Sequence, residues 1–328
     1  MHTTWLLKLV LPFRFGRLCS GLLLFALLYP LFDLGQNPAL EVTVPALFFG
    51  AIIGYMVWVF SYITEKFREA LLELRPHLAL DDPTFEHKLA RLGAGSAFSF
   101  VLPALGGLFA GLAYLTLMTG SWSRVIQVIQ AWPPALIGFA GTLIVWIVMT
   151  TAIAELVKYT MLFSRLGAQS VRIDLLNTRP LLAFSRVAVI STLALIGAQA
   201  LFPLMYLDLS MTYASIVPGL VATAVPMVLM FIAPLWPVHR RLQAAKSEAL
   251  DDLDGQVARI GNGAPPADMT PEILEQLNPL LHYRREISRV PVWPFDAGSV
   301  TRLFLYLVIV PLTWAGAALI ERLLETVI

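Results

Sequence analysis

Charge is scarce in this chain, cysteine is nearly missing, and the usual signatures of soluble catalysis are not there. Only 14% of the 328 residues are Asp, Glu, Lys or Arg, where a soluble domain carries about a quarter. The net charge is +1, so no excess of positive charge marks a nucleic-acid binder. The single cysteine, Cys19, excludes an internal disulfide and a cysteine-based metal cluster. Its setting, Arg17-Leu18-Cys19-Ser20, lacks the small residues that precede a lipidated cysteine. No small-x-small cleavage pattern follows the first apolar run. Tyr29-Pro30-Leu31-Phe32-Asp33 is a poor candidate, so that run is expected to stay as a helix.

The chain has no phosphate-cradling glycine loop of the P-loop type, no Gly-x-Ser-x-Gly elbow and no His-Glu-x-x-His pair. Gly93-Ala94-Gly95 continues into an apolar run and fits packing better than nucleotide binding. His77, His87, His239 and His282 lack the close helical spacing of a zinc site. Accordingly no catalytic, cofactor-binding or metal-binding residue is assigned, and no cofactor is expected. A membrane-embedded enzyme is the least favoured class, since no acid, base and nucleophile fall at one depth.

Apolar length is what the chain does have. Hydrophobic residues make up 58%, and the mean hydropathy is +0.74. A membrane span needs roughly 20 apolar residues. Seven stretches qualify: Leu18 to Leu34, Val44 to Thr64, Ala94 to Thr119, Pro134 to Leu156, Val187 to Tyr206, Ala214 to Trp236 and Val300 to Ile320. Trp5 to Phe13 is too short and reads as an interfacial segment. The fold class is therefore an all-α membrane protein of about seven transmembrane helices.

Of the 23 Lys and Arg residues, all but Arg124 and Arg322 fall at the N-terminus or in alternate gaps. The gap before the last span is the richest, with Arg240, Arg241, Lys246, Arg259, Arg284, Arg285, Arg289 and Arg302. The positive-inside rule then puts the N-terminus in the cytoplasm and the C-terminus outside. Three regions follow: a six-span bundle over 1–236, a cytoplasmic helical hairpin over 237–299, and a seventh span over 300–328. In the hairpin, Leu242, Leu250, Leu253, Val257 and Ile260 form one stripe. Gly261-Asn262-Gly263-Ala264-Pro265-Pro266 breaks it. Thr270-Pro271-Glu272 restarts a helix with Ile273, Leu277, Leu280, Leu281 and Ile287 on its apolar side. A third, shorter cytoplasmic helix is expected from the cap-like Asp82-Pro83.

Several residues could carry function. Glu155 lies inside a span, where an ionisable group is costly; Lys158, three residues on, can pair with it. The sixth span holds Pro218, Pro226 and Pro234, with Pro237 past its end, and Pro311 stands beside Thr313 and Trp314 in the seventh. Proline kinks helices, and broken helices line transporter ion sites; a bent, well-packed helix is the plainer reading. Gly50-x-x-x-Gly54 and Gly107-x-x-x-Gly111 allow close helix approach. Arg284, Arg285, Arg289 and Trp293 could meet anionic lipid headgroups or a protein partner. Asp296 or Ser299 can cap the last helix.

Two segments are more specific. Asp174-Leu175-Leu176-Asn177-Thr178-Arg179-Pro180-Leu181 precedes the fifth span, and Trp293-Pro294-Phe295-Asp296 precedes the seventh, which ends in Glu321-Arg322. With the basic helix His239-Arg240-Arg241-Leu242-Gln243-Ala244-Ala245-Lys246 between them, they resemble a family of uncharacterised bacterial polytopic inner-membrane proteins. The resemblance covers the chain from about Val171 on. It implies the architecture and a multi-pass bacterial inner-membrane location, and it carries no activity.

Two functions are expected from these features. The first is an ion channel or transporter with its path near the sixth and seventh helices, using Glu155, Pro226, Pro234, Asp296, Arg302, Pro311 and Thr313, with Thr150, Thr151, Ser191 and Thr192 as supporting hydroxyls. The alternative is a non-transporting membrane scaffold or sensor that docks a cytoplasmic partner through residues 239–290. Expected partners are the lipid bilayer, anionic headgroups, and a second copy or a cytoplasmic protein, with no nucleic acid.

Overall fold

The computed structural model describes residues 2–3, 5–13, 15–37, 39, 44–95, 97–207, 213–261 and 270–295, with isolated positions from 298 to 308. Its helices are α1 (Trp5–Lys8), α2 (Gly16–Asp33), α3 (Ala46–Leu74), α4 (Asp82–Arg91), α5 (Ala97–Thr119), α6 (Trp122–Ala131), α7 (Ala135–Gln169), α8 (Leu182–Gln199), α9 (Tyr213–Gly261) and α10 (Pro271–Arg289). Among the described residues, extended structure comprises β1 (His2–Thr3) paired antiparallel with β2 (Ala94–Gly95), an isolated bridge between Leu78 and Val171, and a bridge position at Asn37.

Helices α2, α3, α5, α7, α8 and α9 are each long and apolar enough to cross a membrane. They fit a multi-pass membrane protein. Hydrocarbon offers backbone groups no water, so a crossing segment must bond within itself. The seventh expected span, 300–320, lies almost wholly outside the described residues, as do Asp296, Arg302, Pro311 and Thr313.

Helix α3 sits at the centre, packed by α2, α7 and α8. Helix α7 also carries α5 and α9, and α8 lies between α3 and α9. Glycine decides two of these approaches. A Cβ on Gly54 would run into the Gly21 carbonyl of α2, and one on Gly107 would stand 2.7 Å from the Ile147 Cα of α7. Both glycine pairs therefore serve packing within the chain. Outward faces are apolar: Leu22, Leu23 and Leu27 on α2, Leu102 and Phe109 on α5, Val221 and Val228 on α9. Soluble proteins rarely show such continuous apolar surface; contact with a lipid bilayer accounts for it.

The helices share one basic end. Arg17 of α2 pairs with Glu65 of α3. Arg186 of α8 reaches both carboxylate oxygens of Glu73, at 2.6 and 2.7 Å. Arg241 of α9 donates to the Gly167 carbonyl of α7 at 3.4 Å. At this end α3, α7 and α9 run on past their apolar stretches. Helix α9, with 49 residues, is about 73 Å long, more than twice the hydrocarbon thickness of roughly 30 Å. The extensions, with α4 and α10, build a layer beside the bundle.

Buried aromatics join bundle to layer. The Phe67 ring meets Phe163 edge-on at 5.2 Å, and Phe163 meets Phe184 likewise at 5.9 Å. Such edge-to-face pairs add to the burial of each ring.

Some boundaries differ from expectation. Helix α8 begins at Leu182, five residues before the expected Val187, because the turn Arg179–Leu181 feeds straight into it. Asp82 is the first residue of α4 and pairs with Arg75; the cap position is Asp81. The short helix α6, capped by the Ser121 hydroxyl accepting from the Arg124 amide, was not anticipated.

A Gly107→Ala substitution should lower thermal stability in detergent, since overpacking costs about 1–3 kcal/mol. Gly106→Ala, where a Cβ meets open space, should leave it unchanged. Equal midpoints for the two variants would contradict this α5–α7 contact.

Candidate functional site

The residues singled out by sequence fall into two places, one at the basic layer and one inside the bundle. In the layer, α10 packs on the charged half of α9. It buries Leu277 and Ile287, while α9 buries Leu242 and Leu253. Leu281, expected on the buried side, is exposed. Burial of a Leu or Ile side chain is worth roughly 1.5–3 kcal/mol. These side chains therefore outweigh the exposed Arg284–Asp254 pair, at 2.5 and 3.1 Å, since exposed pairs contribute little. Hydrogen bonds donated to the Asp254 carboxylate hold the Arg284 guanidinium above its ordinary pKa. Of the expected basic stripe, Arg284 is thus engaged, Arg289 lies 3.7 Å from Glu286, and Arg285 is exposed.

Beyond α10 the chain turns back along α9, and two side chains of α9 guide it. Lys246 Nζ donates to the Ser288 and Val290 carbonyls at 2.6 and 2.8 Å. These carbonyls close the end of α10, where helical acceptors lack internal partners and a cation is favoured. His239 Nδ1 lies 2.9 Å from the Val292 carbonyl. The imidazole stacks on the Trp293 indole at 3.8 Å and 11°. Trp293 stacks on Phe295, and Phe295 on Phe231, at 5.6 and 5.8 Å with near-parallel rings. Residues 290–295 therefore climb α9 from its charged half to its apolar half. By spacing, His239 stands only as a histidine without a zinc-site neighbour. Its partner is 54 positions away, and no local signal could reveal the stack.

Inside the bundle, Glu155 is buried, only 3% exposed. Lys158 Nζ reaches its Oε1 at 2.6 Å, with the lysine side chain half-exposed. The neighbouring hydroxyls mostly serve their own helices. Ser191 donates to Val187 O, Thr192 to Ala188 O and Thr150 to Trp146 O. Thr150 Oγ1 also stands 3.1 Å from Pro103 O of α5. The Thr151 hydroxyl is buried and has no hydrogen-bond partner among the described residues. Polar links between spanning helices include Tyr55 to Ala194 O at 2.8 Å and Gln199 to Thr223 at 3.0 Å.

Helix α9 runs unbroken through Pro218, Pro226, Pro234 and Pro237. The prolines therefore do not divide it into separate helices. A groove of about 710 Å³ between α7 and α9 is lined by Met161, Val225, Leu229, Ile232, Trp236 and Pro237, among others. Neither Glu155, Pro226 nor Pro234 lines it. Between α3, α5, α7 and α9 lies an apolar void of about 30 Å³ walled by residues including Phe48, Ile52, Met149 and Phe202, room for little more than one water. Among the described residues, no group of three or more His, Cys, Asp or Glu is placed to hold a metal.

Comparison with protein-family models, with curated proteins and with solved structures finds no match.

Two variants probe these places. Lys158→Met should destabilise by about 2 kcal/mol, the low side of a broken buried pair because the lysine is half-exposed. Lys158→Met with Glu155→Gln should recover most of that loss, and a thermal-unfolding cycle reads the coupling. At the layer, Lys246→Met with His239→Ala should speed trypsin cleavage after Arg289 about tenfold by freeing residues 288–293. An unchanged rate would mean the two side chains do not hold the segment.

Proposed function

We propose that this protein is a membrane-anchored platform whose working surface is the basic helical layer. The carrying observation is the continuation of α3, α7 and α9 beyond their apolar stretches into a layer completed by α4 and α10. The layer offers exposed apolar side chains, including Leu72, Leu274, Leu281 and Tyr283, among charges. That mixture suits a protein partner, because apolar anchors ringed by polar groups supply most interface energy. In this reading the layer is cytoplasmic, in a bacterial inner membrane, as the distribution of Lys and Arg favours. Residues 300–320 then form a seventh span that carries the C-terminus across. The likeness of the C-terminal half to the inner-membrane family supports the same arrangement.

The conduit reading draws on Glu155 and on the prolines of α9. Lys158 neutralises the first, and the helix continues through the second. The self-bonded hydroxyls and the apolar void leave that reading less supported than the platform.

Reconstitution tests the choice. In proteoliposomes, flux over a broad panel of ions should equal that of empty vesicles. In cells, a photo-crosslinker at Leu281 should capture one protein in stoichiometric yield, and Leu277→Asp should abolish capture. Ion flux above the vesicle background, or capture unaffected by Leu277→Asp, would refute the platform.

A further inference from the structure

A cleft at the basic end of the bundle stands apart from the α9–α10 layer. Its volume is about 920 Å³. One wall is the α3 face formed by Ser61, Thr64, Glu65 and Arg68, one turn after another, where α3 leaves its apolar stretch. The opposite wall is the N-terminal segment from Leu7 to Phe13, and Ala90 to Gly93 close the side.

The chemistry of the walls is divided. Leu9, Leu11 and Phe13 expose apolar surface beside the cleft or at its rim. The two hydroxyls are turned to their own helix, Ser61 to Trp58 O and Thr64 to Phe60 O. Arg17 and Glu65 neutralise one another in an ion pair. Arg68 lines the same cleft with no ion pair among the described residues. Among the described residues the cleft therefore combines a guanidinium without an ion pair with apolar walls, next to the start of α2.

We propose that this cleft binds the headgroup of an anionic phospholipid, with Arg68 on the phosphate and the N-terminal segment covering the upper acyl chain. A guanidinium forks onto phosphate oxygens with charge-assisted hydrogen bonds. The apolar part of the wall favours an anion that brings apolar surface of its own. The site lies where α3 changes from apolar to charged, the depth of a headgroup.

Native mass spectrometry of the full chain in detergent tests this with added phosphatidylglycerol, phosphatidylcholine or inorganic phosphate. Phosphatidylglycerol should be retained in preference to phosphatidylcholine. Arg68→Gln should weaken that retention about tenfold, and Arg68→Lys should keep the preference. Arg165→Gln, at an exposed position of α7, should change nothing. Equal retention of the two lipids by the unaltered chain would overturn the proposal whether or not Arg68→Gln folds. So would a loss with Arg165→Gln as large as with Arg68→Gln, which would mean diffuse surface charge. Thermal stabilisation by inorganic phosphate alone, matching that by phosphatidylglycerol, would assign a free anion and overturn the lipid.

Discussion

Hydrocarbon offers no partner to a backbone amide or carbonyl, and this single constraint organises the chain. A segment that crosses must be helical, and once helical it has no reason to stop where the apolar residues stop. Helix α9 shows the consequence. It is apolar as far as Val238 and charged from His239 on, yet remains one element to Gly261. Helices α3 and α7 behave alike. The layer is therefore made largely from the same rods as the bundle, and inherits its placement from them. The buried rings Phe67, Phe163 and Phe184 lie where the rods leave the bundle, and they hold three of those rods in register.

The same constraint explains which polar groups the interior tolerates. Ser191, Thr192 and Thr142 satisfy their hydroxyls on carbonyls four residues back in their own helices. They ask nothing of a neighbour and open no path. Gln199 is different, because it donates across to Thr223 and so ties α8 to α9. Glu155 is costlier than any hydroxyl. Its neutralising partner comes from the next turn, and the half-exposed Lys158 stem lets the ammonium lean outward while still reaching the carboxylate. A buried acid with its counter-charge on the same helix is a local arrangement. It needs no second helix and therefore implies no pathway.

What could be read from the sequence follows the range of the interactions. Span positions come from apolar length, a property of consecutive residues, and six of the expected seven correspond to helices here. The Gly50 and Gly107 motifs were legible as packing faces, though not their partners in α2 and α7. The α9–α10 contact was foreshadowed by two stripes around a Gly/Pro break. The boundary errors also have a local cause. Arg186 marked the expected edge of the fifth span, but the turn Arg179–Leu181 feeds into α8 before that residue. By contrast the His239–Trp293 stack, the Arg17–Glu65 pair and the cleft around Arg68 join residues dozens of positions apart. Composition and periodicity contain nothing that pairs them.

These long-range contacts share a location that the sequence indicated only as an excess of Lys and Arg. That excess can be sorted by what each side chain meets. Arg17, Arg75, Arg186 and Arg284 are held by carboxylates, and Lys246 by the carbonyls that end α10. Each is already engaged within the chain, and the exposed ion pairs among them contribute little to its stability. Arg68 and Arg285 have no ion pair among the described residues and remain open to external partners. One faces a cleft with apolar walls, the other an exposed helix face beside Leu281. Topology alone would require only that positive charge stay on one side. The division between pinned and open cations goes further, because an unpaired guanidinium beside apolar surface gains most by meeting an anion that brings apolar surface of its own.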